Sequence, residues 1–266
     1  MKDMHDDEFD RGLQHDLKTM SRRGLLRWIG GAGLFGLAAG CVDRNMASVD
    51  PDAPTGTGSC AVITEETQGP YPGDGSNGAN ALSQSGIVRA DIRSSVGTAS
   101  GVATGVPLTV RLKLVNTKSS CAALAGYAIY IWHCDALGRY SMYSSGVTAE
   151  NYLRGVQVTD ASGEVSFTTV IPVCYPGRWP HIHFEIYPAV PTSSTTKLKT
   201  SQLAIPEATC RAVYATSGYT NSLSSLNGIS LSSDNVFSDG VANQLPDVTG
   251  DTSSGYVAVL NVGINV

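Results

Sequence analysis

The sequence is short of charge. Asp, Glu, Lys and Arg make up 15% of its 266 residues, against about 25% in ordinary globular chains. It has no basic stripe, and its net charge is -5 with a pI near 5.5. That argues against a nucleic-acid partner, since no cationic array is there to neutralise phosphates. No apolar run reaches ~18 residues, so no helix of the mature chain is expected to span a membrane. No C-x-x-C pair is present, which disfavours a thiolate zinc site. What is present is a hydrophobic fraction of 42%, enough to bury a core and to exclude a disordered chain. Ser, Thr and Gly take the place of charge, and they suit turns and strands more than helices.

The first forty residues read as an address. A polar stretch is followed by Ser21-Arg22-Arg23-Gly24-Leu25-Leu26-Arg27 and then by an apolar run from Trp28 to Ala39. That run has the length of a signal h-region and is too short to cross a bilayer. The paired arginines resemble a twin-arginine export signal, and the glycines at 24, 30, 31, 33 and 36 weaken the alternative of an amphipathic helix. Leu37-Ala38-Ala39-Gly40-Cys41 resembles a bacterial lipobox, although Ala38 stands where Leu is usual. Lipidation of Cys41, and with it membrane attachment, is expected, with plain cleavage as the alternative. The expected organisation is therefore a removed signal over 1–40, a flexible tether over 41–59 and a folded domain over 60–266. Both alternatives place the mature protein outside the cytoplasm, at the periplasmic or extracellular face.

Six cysteines stand at 41, 60, 121, 134, 174 and 210. With Cys41 lipidated, five remain, which allows at most two disulfides and one free thiol. Export makes disulfides plausible, but spacing leaves their pairing open.

From residue 60 onward the pattern is of short strands. Pro107–Asn116 alternates apolar and polar residues, as a half-buried strand does. Further strands are expected over 127–133, 155–159, 164–170, 181–187 and 255–266. The turn Asp160-Ala161-Ser162-Gly163 reads as the tip of a hairpin. Helical character is confined to Pro206–Ala215. The expected fold is all-β: a β-sandwich of mostly antiparallel strands with one short helix and long loops.

Three histidines remain in the mature chain: His133, His181 and His183. The last two form His-x-His on a predicted strand. Alternation of side chains points both rings to one face, about 6.6 Å apart at the backbone. Two imidazoles so placed can converge on one metal ion, or they can be buried histidines with hydrogen-bonding roles. Glu185 shares their face but lies about 13 Å along the strand from His181, too far for one ion. It reads as a supporting or surface residue. His133 reads as structural.

The neighbouring residues carry a resemblance. Tyr175-Pro176-Gly177-Arg178-Trp179-Pro180-His181-Ile182-His183-Phe184 resembles the signature of the intradiol ring-cleavage dioxygenases, the catechol and protocatechuate 3,4-dioxygenase family. Asp135–Tyr140 resembles that family's Gly-x-Tyr turn, Thr67-Gln68-Gly69-Pro70-Tyr71 its N-terminal Gly-Pro-aromatic element, and Thr200-Ser201-Gln202-Leu203 its later Thr-Gln element. The four run in order from about 64 to 204, and the chain looks most like the family's exported, single-chain branch. The resemblance implies a mononuclear ferric (Fe3+) site with Tyr140, Tyr175, His181 and His183 as ligands. Tyr175 would be the axial ligand that leaves when substrate binds. Arg178 would stabilise charge on the substrate, and Gln202 would be a polar neighbour. Fe(III) is hard and favours anionic oxygen, and imidazole also suits iron. The implied reaction uses O2 to open a catechol between its two hydroxyl-bearing carbons, giving a cis,cis-muconate. The loop from Tyr175 to His181 is shorter than in the cytoplasmic enzymes and brings Trp179 beside the metal strand. Cys174 is expected to brace that loop as a disulfide, and Tyr71 to line or pack the pocket.

Two other readings stand beside this one. The first is a non-catalytic exported β-sandwich binding module. The second is a zinc or copper protein built on His181 and His183. Neither the particular catechol nor the oligomeric state is legible in the sequence.

Overall fold

The computed structural model describes residues 60–266. The signal expected over 1–40, the tether over 41–59 and Cys41 lie outside the described residues. In chain order the elements are β1 (Pro107–Asn116), β2 (Ala122–Ala123), β3 (Ala128–Trp132), β4 (Arg154–Val158), β5 (Glu164–Val170), β6 (His181–Tyr187), β7 (Lys199–Ala204), α1 (Glu207–Tyr214), α2 (Ser222–Asn227), β8 (Asp247–Asp251) and β9 (Gly255–Ile264). The strands form two sheets. In one, β1 pairs with β9 on one edge and with β5 and β2 on the other, and β8 flanks β9. The second sheet runs β4-β3-β6-β7.

The all-β sandwich expected from the strand pattern is the fold observed. Pairing is antiparallel throughout except between β1 and β9, which run parallel with Leu108 opposite Tyr256. The helix expected near 206–215 is α1, and α2 adds a six-residue helix that no sequence signal marked. In β1 the alternation expected of a half-buried strand holds. Leu108, Val110, Leu112 and Leu114 are each no more than 1% exposed and join one core with Phe167, Ile182, Phe184 and Ile186. Each such side chain contributes about 1.5–3 kcal/mol on burial.

One expectation is corrected. The strands on either side of Asp160–Gly163 do not pair with each other as a hairpin. β4 pairs with β3 in one sheet and β5 with β1 in the other, so the turn carries the chain across the sandwich. The turn itself is well made: the Asp160 carboxylate accepts from the Ser162 and Glu164 amides at 2.9 and 2.8 Å. Period-2 alternation marks a strand but does not choose its partner.

β6 differs from β1 because all seven of its residues are buried. It sits between β3 and β7, so both of its edges are occupied. The face with His181 and His183 is covered by loops rather than water, and Gly69 of the 64–73 segment lies against the His183 ring.

Among the described residues there is one disulfide, Cys60–Cys121, with Cα atoms 5.7 Å apart. Cys134, Cys174 and Cys210 are free and buried. Cys174 is therefore not the brace expected of it. Its thiol points at the Arg178 carbonyl, 3.6 Å away, and burial pushes its pKa up to about 12, which leaves it unreactive. The Cys60–Cys121 bond closes a 61-residue separation, for which the loop-entropy relation gives a stabilisation of about 4 kcal/mol. Cys60→Ser is expected to lower the unfolding free energy by about 2–4 kcal/mol, read as an earlier urea midpoint with a steeper slope, because the unfolded chain without the cross-link exposes more surface. An unchanged midpoint would show that the bond constrains nothing in the unfolded chain.

Candidate functional site

The registers of the second sheet build one wall of the site. Trp132 on β3 stands opposite His183 on β6, and His183 stands opposite Gln202 on β7. Directly opposed residues share a face. The Trp132 and His183 rings stack with centroids 4.9 Å apart and planes 5° apart. His181 lies two residues earlier on the same face, and its ring meets that of His183 edge-on.

Two loops bring the remaining donors. After β3 the chain turns at Asp135, whose Oδ1 accepts from the Leu137 and Arg139 amides, both at 2.9 Å. Arg139 and Tyr152 hold its Oδ2. This turn delivers Tyr140, which is buried. The loop before β6 delivers Tyr175, which is half-buried. The result is a chain of close polar atoms. Tyr140 Oη is 3.4 Å from Tyr175 Oη, Tyr175 Oη is 3.3 Å from His181 Nε2, and the two histidine Nε2 atoms are 3.1 Å apart. The four residues singled out in the sequence thus converge on one point.

The tautomers follow from the partners. His181 Nδ1 lies 2.5 Å from the Trp179 carbonyl. A carbonyl only accepts, so Nδ1 carries the proton and Nε2 presents a lone pair. His183 Nδ1 is buried without a hydrogen-bond partner. Burial holds both imidazoles well below the ordinary pKa, with Arg178 adding to the effect at His181 and His181 adding at His183. Both rings are therefore neutral. Burial, then the neighbouring Tyr175, raises the Tyr140 phenol well above 10, so Tyr140 is protonated until a positive charge faces it.

A cation shared by four donors at bonds of about 2 Å sets neighbouring donor atoms roughly 2.8–3.4 Å apart. The observed spacings suit such a cation. Among the described residues, no group of three or more His, Cys, Asp or Glu side chains could hold a metal ion. A metal here would depend on the two tyrosine oxygens.

Arg178 and Gln202 lie at this site as expected. Arg178 is 3% exposed. Its Nη2 donates to Gln202 Oε1 at 2.7 Å, and Gln202 Nε2 donates to the Thr67 carbonyl at 2.9 Å. Tyr71 packs its ring 4.9 Å from that of Tyr140. His133 is structural: its ring nitrogens contact the Cys134 carbonyl at 2.8 Å and Thr169 Oγ1 at 2.7 Å. Glu185 is neither at the four-donor cluster nor on the surface. It is buried and paired with Lys197 at 2.7 Å and Tyr187 Oη at 2.6 Å.

Three residues at the site had no signal in the sequence. Asp234 holds Arg178 Nε at 3.0 Å. Arg154, 1% exposed, anchors the 71–72 and 141 segments. Glu66 lies beside Gln244, whose Nε2 donates to it at 3.3 Å. Their partners are 56, 82 and 178 residues away in the chain, beyond any local motif. Gly73 (φ 61°) belongs to the same arrangement, because a Cβ there would stand 2.7 Å from Arg154 Nη1.

A family model described as Dioxygenase matches residues 87–183. Over 52 residues the chain is 40% identical to catechol 1,2-dioxygenase 2 of Acinetobacter lwoffii, covering 20% of this chain and 18% of that protein. Over 75 residues it is 33% identical to catechol 1,2-dioxygenase of Candida albicans, covering 28% and 24%. The matches thus span less than a quarter of either curated relative. The fold is similar to that of an intradiol ring-cleavage dioxygenase from Tetranychus urticae, with a TM-score of 0.60 and 26% identity over 77% of this chain and 95% of that one. Matched segment and fold together define a dioxygenase β-sandwich. In the matched segment and in fold, the chain is similar to the intradiol ring-cleavage dioxygenases.

Burial, then the Asp239 carboxylate, pushes the Glu66 carboxyl from the ordinary 4.5 up to about 7, with Asp234 acting in the same sense and Gln244 and Arg178 opposing. The native state therefore holds a proton on Glu66 that the unfolded chain has released. Its contribution to stability is present below pH 4.5 and lost as pH rises through 7. Glu66→Gln should gain stability relative to wild type at pH 8 and not at pH 4, measured by denaturant midpoints at both. A pH-independent difference would show that Glu66 titrates in the native state as it does in the unfolded chain.

Proposed function

We propose that the protein is a non-haem ferric intradiol dioxygenase, which cleaves a catecholic ring with O2 between the hydroxyl-bearing carbons to give a cis,cis-muconate-type product. The observation that carries this reading is the chain of donors Tyr140–Tyr175–His181–His183, whose successive polar atoms lie 3.4, 3.3 and 3.1 Å apart. Two neutral imidazoles and two phenols form a donor set that suits Fe(III) better than zinc or copper, because hard ferric iron favours anionic oxygen. Bound there, iron would supply a Lewis acid that binds the catecholate and makes its ring reactive toward O2.

The chain's own residues do the rest. His181 presents an Nε2 lone pair fixed by the Trp179 carbonyl, and His183, stacked on Trp132, would turn its Nε2 to the metal. Tyr140, buried on the Asp135 turn, stays as a fixed donor. Tyr175 lies on a half-exposed loop, so, held as a tyrosinate by iron, it would be the donor free to move and to take a proton from an incoming catechol hydroxyl at its Oη. Arg178 places a buried positive charge beside the site, where negative charge develops on the ring during cleavage. Gln202 holds that guanidinium from below. The buried walls of Trp132, Trp179 and Tyr140 keep bulk water from the reacting ring.

The relatives named as catechol 1,2-dioxygenases support a catechol as substrate. The Cys60–Cys121 disulfide supports the proposed location outside the cytoplasm, reached by the twin-arginine route, with Cys41 as a lipid anchor. A non-catalytic binding module has less support, since all four donors stand together.

The test is the visible spectrum of the iron-loaded full chain. A tyrosinate-to-iron band is expected, shifted by catechol under nitrogen and strongly weakened in Tyr140→Phe. Under air, Tyr140→Phe should lower turnover by about 10–1000-fold. A protein that stays colourless after ferric loading would return the binding-module reading to first place.

A further inference from the structure

We propose that Asp234 is a positioning residue that sets the Arg178 guanidinium and the His181 ring together. Its chemical consequence rests on the dioxygenase reading; its geometry does not. Asp234 lies between α2 and β8 and is fully buried. Its Oδ1 accepts from the amides of Val236 and Phe237 at 2.8 and 3.0 Å. Those two bonds fix the carboxylate on its own loop and aim Oδ2 at the segment before β6. There Oδ2 accepts from Arg178 Nε at 3.0 Å and from the Trp179 amide at 2.6 Å.

The next link is the Trp179 carbonyl, which accepts from His181 Nδ1 at 2.5 Å. One carboxylate oxygen thus anchors the arginine directly and the histidine through a single residue. The far edge of the guanidinium is held by Gln202 at 2.7 Å. Arg178 is therefore gripped from two sides, by a charge and by an amide. A fully buried ion pair is a weak source of net stability, because desolvation offsets most of the attraction. Orientation explains its presence better: the partner is a guanidinium held between the His181 strand and Gln202 opposite His183. Asparagine cannot stand in. One of its two terminal groups is an NH2, and in either orientation that group faces two N–H donors.

The test uses the full chain loaded with iron and the substitution Asp234→Asn. Phenylglyoxal labelling, read by peptide mass mapping, should modify Arg178 on the order of tenfold faster than in wild type, as loss of a charged hydrogen bond allows. Arg154, equally buried but held by other partners, should label at the wild-type rate. With catechol, kcat should fall about 10–100-fold while KM stays within about threefold, the pattern of an interaction made in the transition state. Asp234→Glu, which keeps the charge and misplaces it, should fall between the two and serves as the test if the Asn variant does not fold. Unchanged Arg178 labelling with unchanged kcat would overturn the proposal, as would Arg154 labelling faster in step with Arg178, which marks general loosening. The labelling does not depend on the reaction. A wild-type protein inactive toward catechols would sink the dioxygenase reading alone, while faster labelling of Arg178 would still support the positioning role.

Discussion

A buried guanidinium ties the site together. Arg154 on β4 uses all five of its N–H groups. Nε donates to Ser141 Oγ at 3.1 Å, Nη1 to the Pro72 carbonyl at 2.8 Å and Tyr130 Oη at 3.1 Å, and Nη2 to the Tyr71 and Ser141 carbonyls at 3.0 and 2.9 Å. A charge cannot sit in a core unless its donors are met. Apart from Tyr130 on β3, these acceptors come from two loops. One carries Tyr71; the other carries Tyr140, next to Ser141. Satisfying one arginine therefore sets the distance between the Tyr71 wall and the Tyr140 donor, and Gly73 is kept without a side chain for the same reason.

The site repeats this logic at smaller scale. Its polar groups are held by backbone carbonyls and by one another. Gln202 links Arg178 to the Thr67 carbonyl, and Lys197 links Glu185 to Gln68. The 64–73 segment is thus pinned over β6 from below. The donors are buried, and burial sets the protonation states. Imidazoles are neutral and Tyr140 is a phenol because burial disfavours the charged form of each. A multivalent cation at the same point inverts that preference for the tyrosines and suits the histidines as they stand.

The legible part of the molecule was its local chemistry. His-x-His on a strand places two rings on one face by alternation alone, and β6 does so. Tyr175 and Arg178 are tied to His181 by short loop spacing, so their arrival at the same point follows from chain length. Tyr140 was legible only through the family pattern, since nothing local distinguishes it from the ten other tyrosines. The hairpin expected around Asp160–Gly163 failed for a related reason. Alternation reports that a segment is a strand, and both segments are, but the choice of partner belongs to sheets assembled from distant residues. Cys174 likewise looked like a brace because it adjoins a loop, whereas the bond that formed joins Cys60 to Cys121 and leaves Cys174 in the core.

By itself, then, the sequence determined the all-β sandwich, the strand that carries His181 and His183, and the approach of Tyr175 and Arg178 to them, because periodicity and short spacing act over a few residues. Tertiary structure alone decided which strands pair, which cysteines meet, and which residues hold the site in shape. Asp234, Arg154 and Glu66 reach their partners across 56 to 178 residues. Over such distances no sequence periodicity survives, and only the burial of charge, with its demand that every donor find an acceptor, brings the groups together.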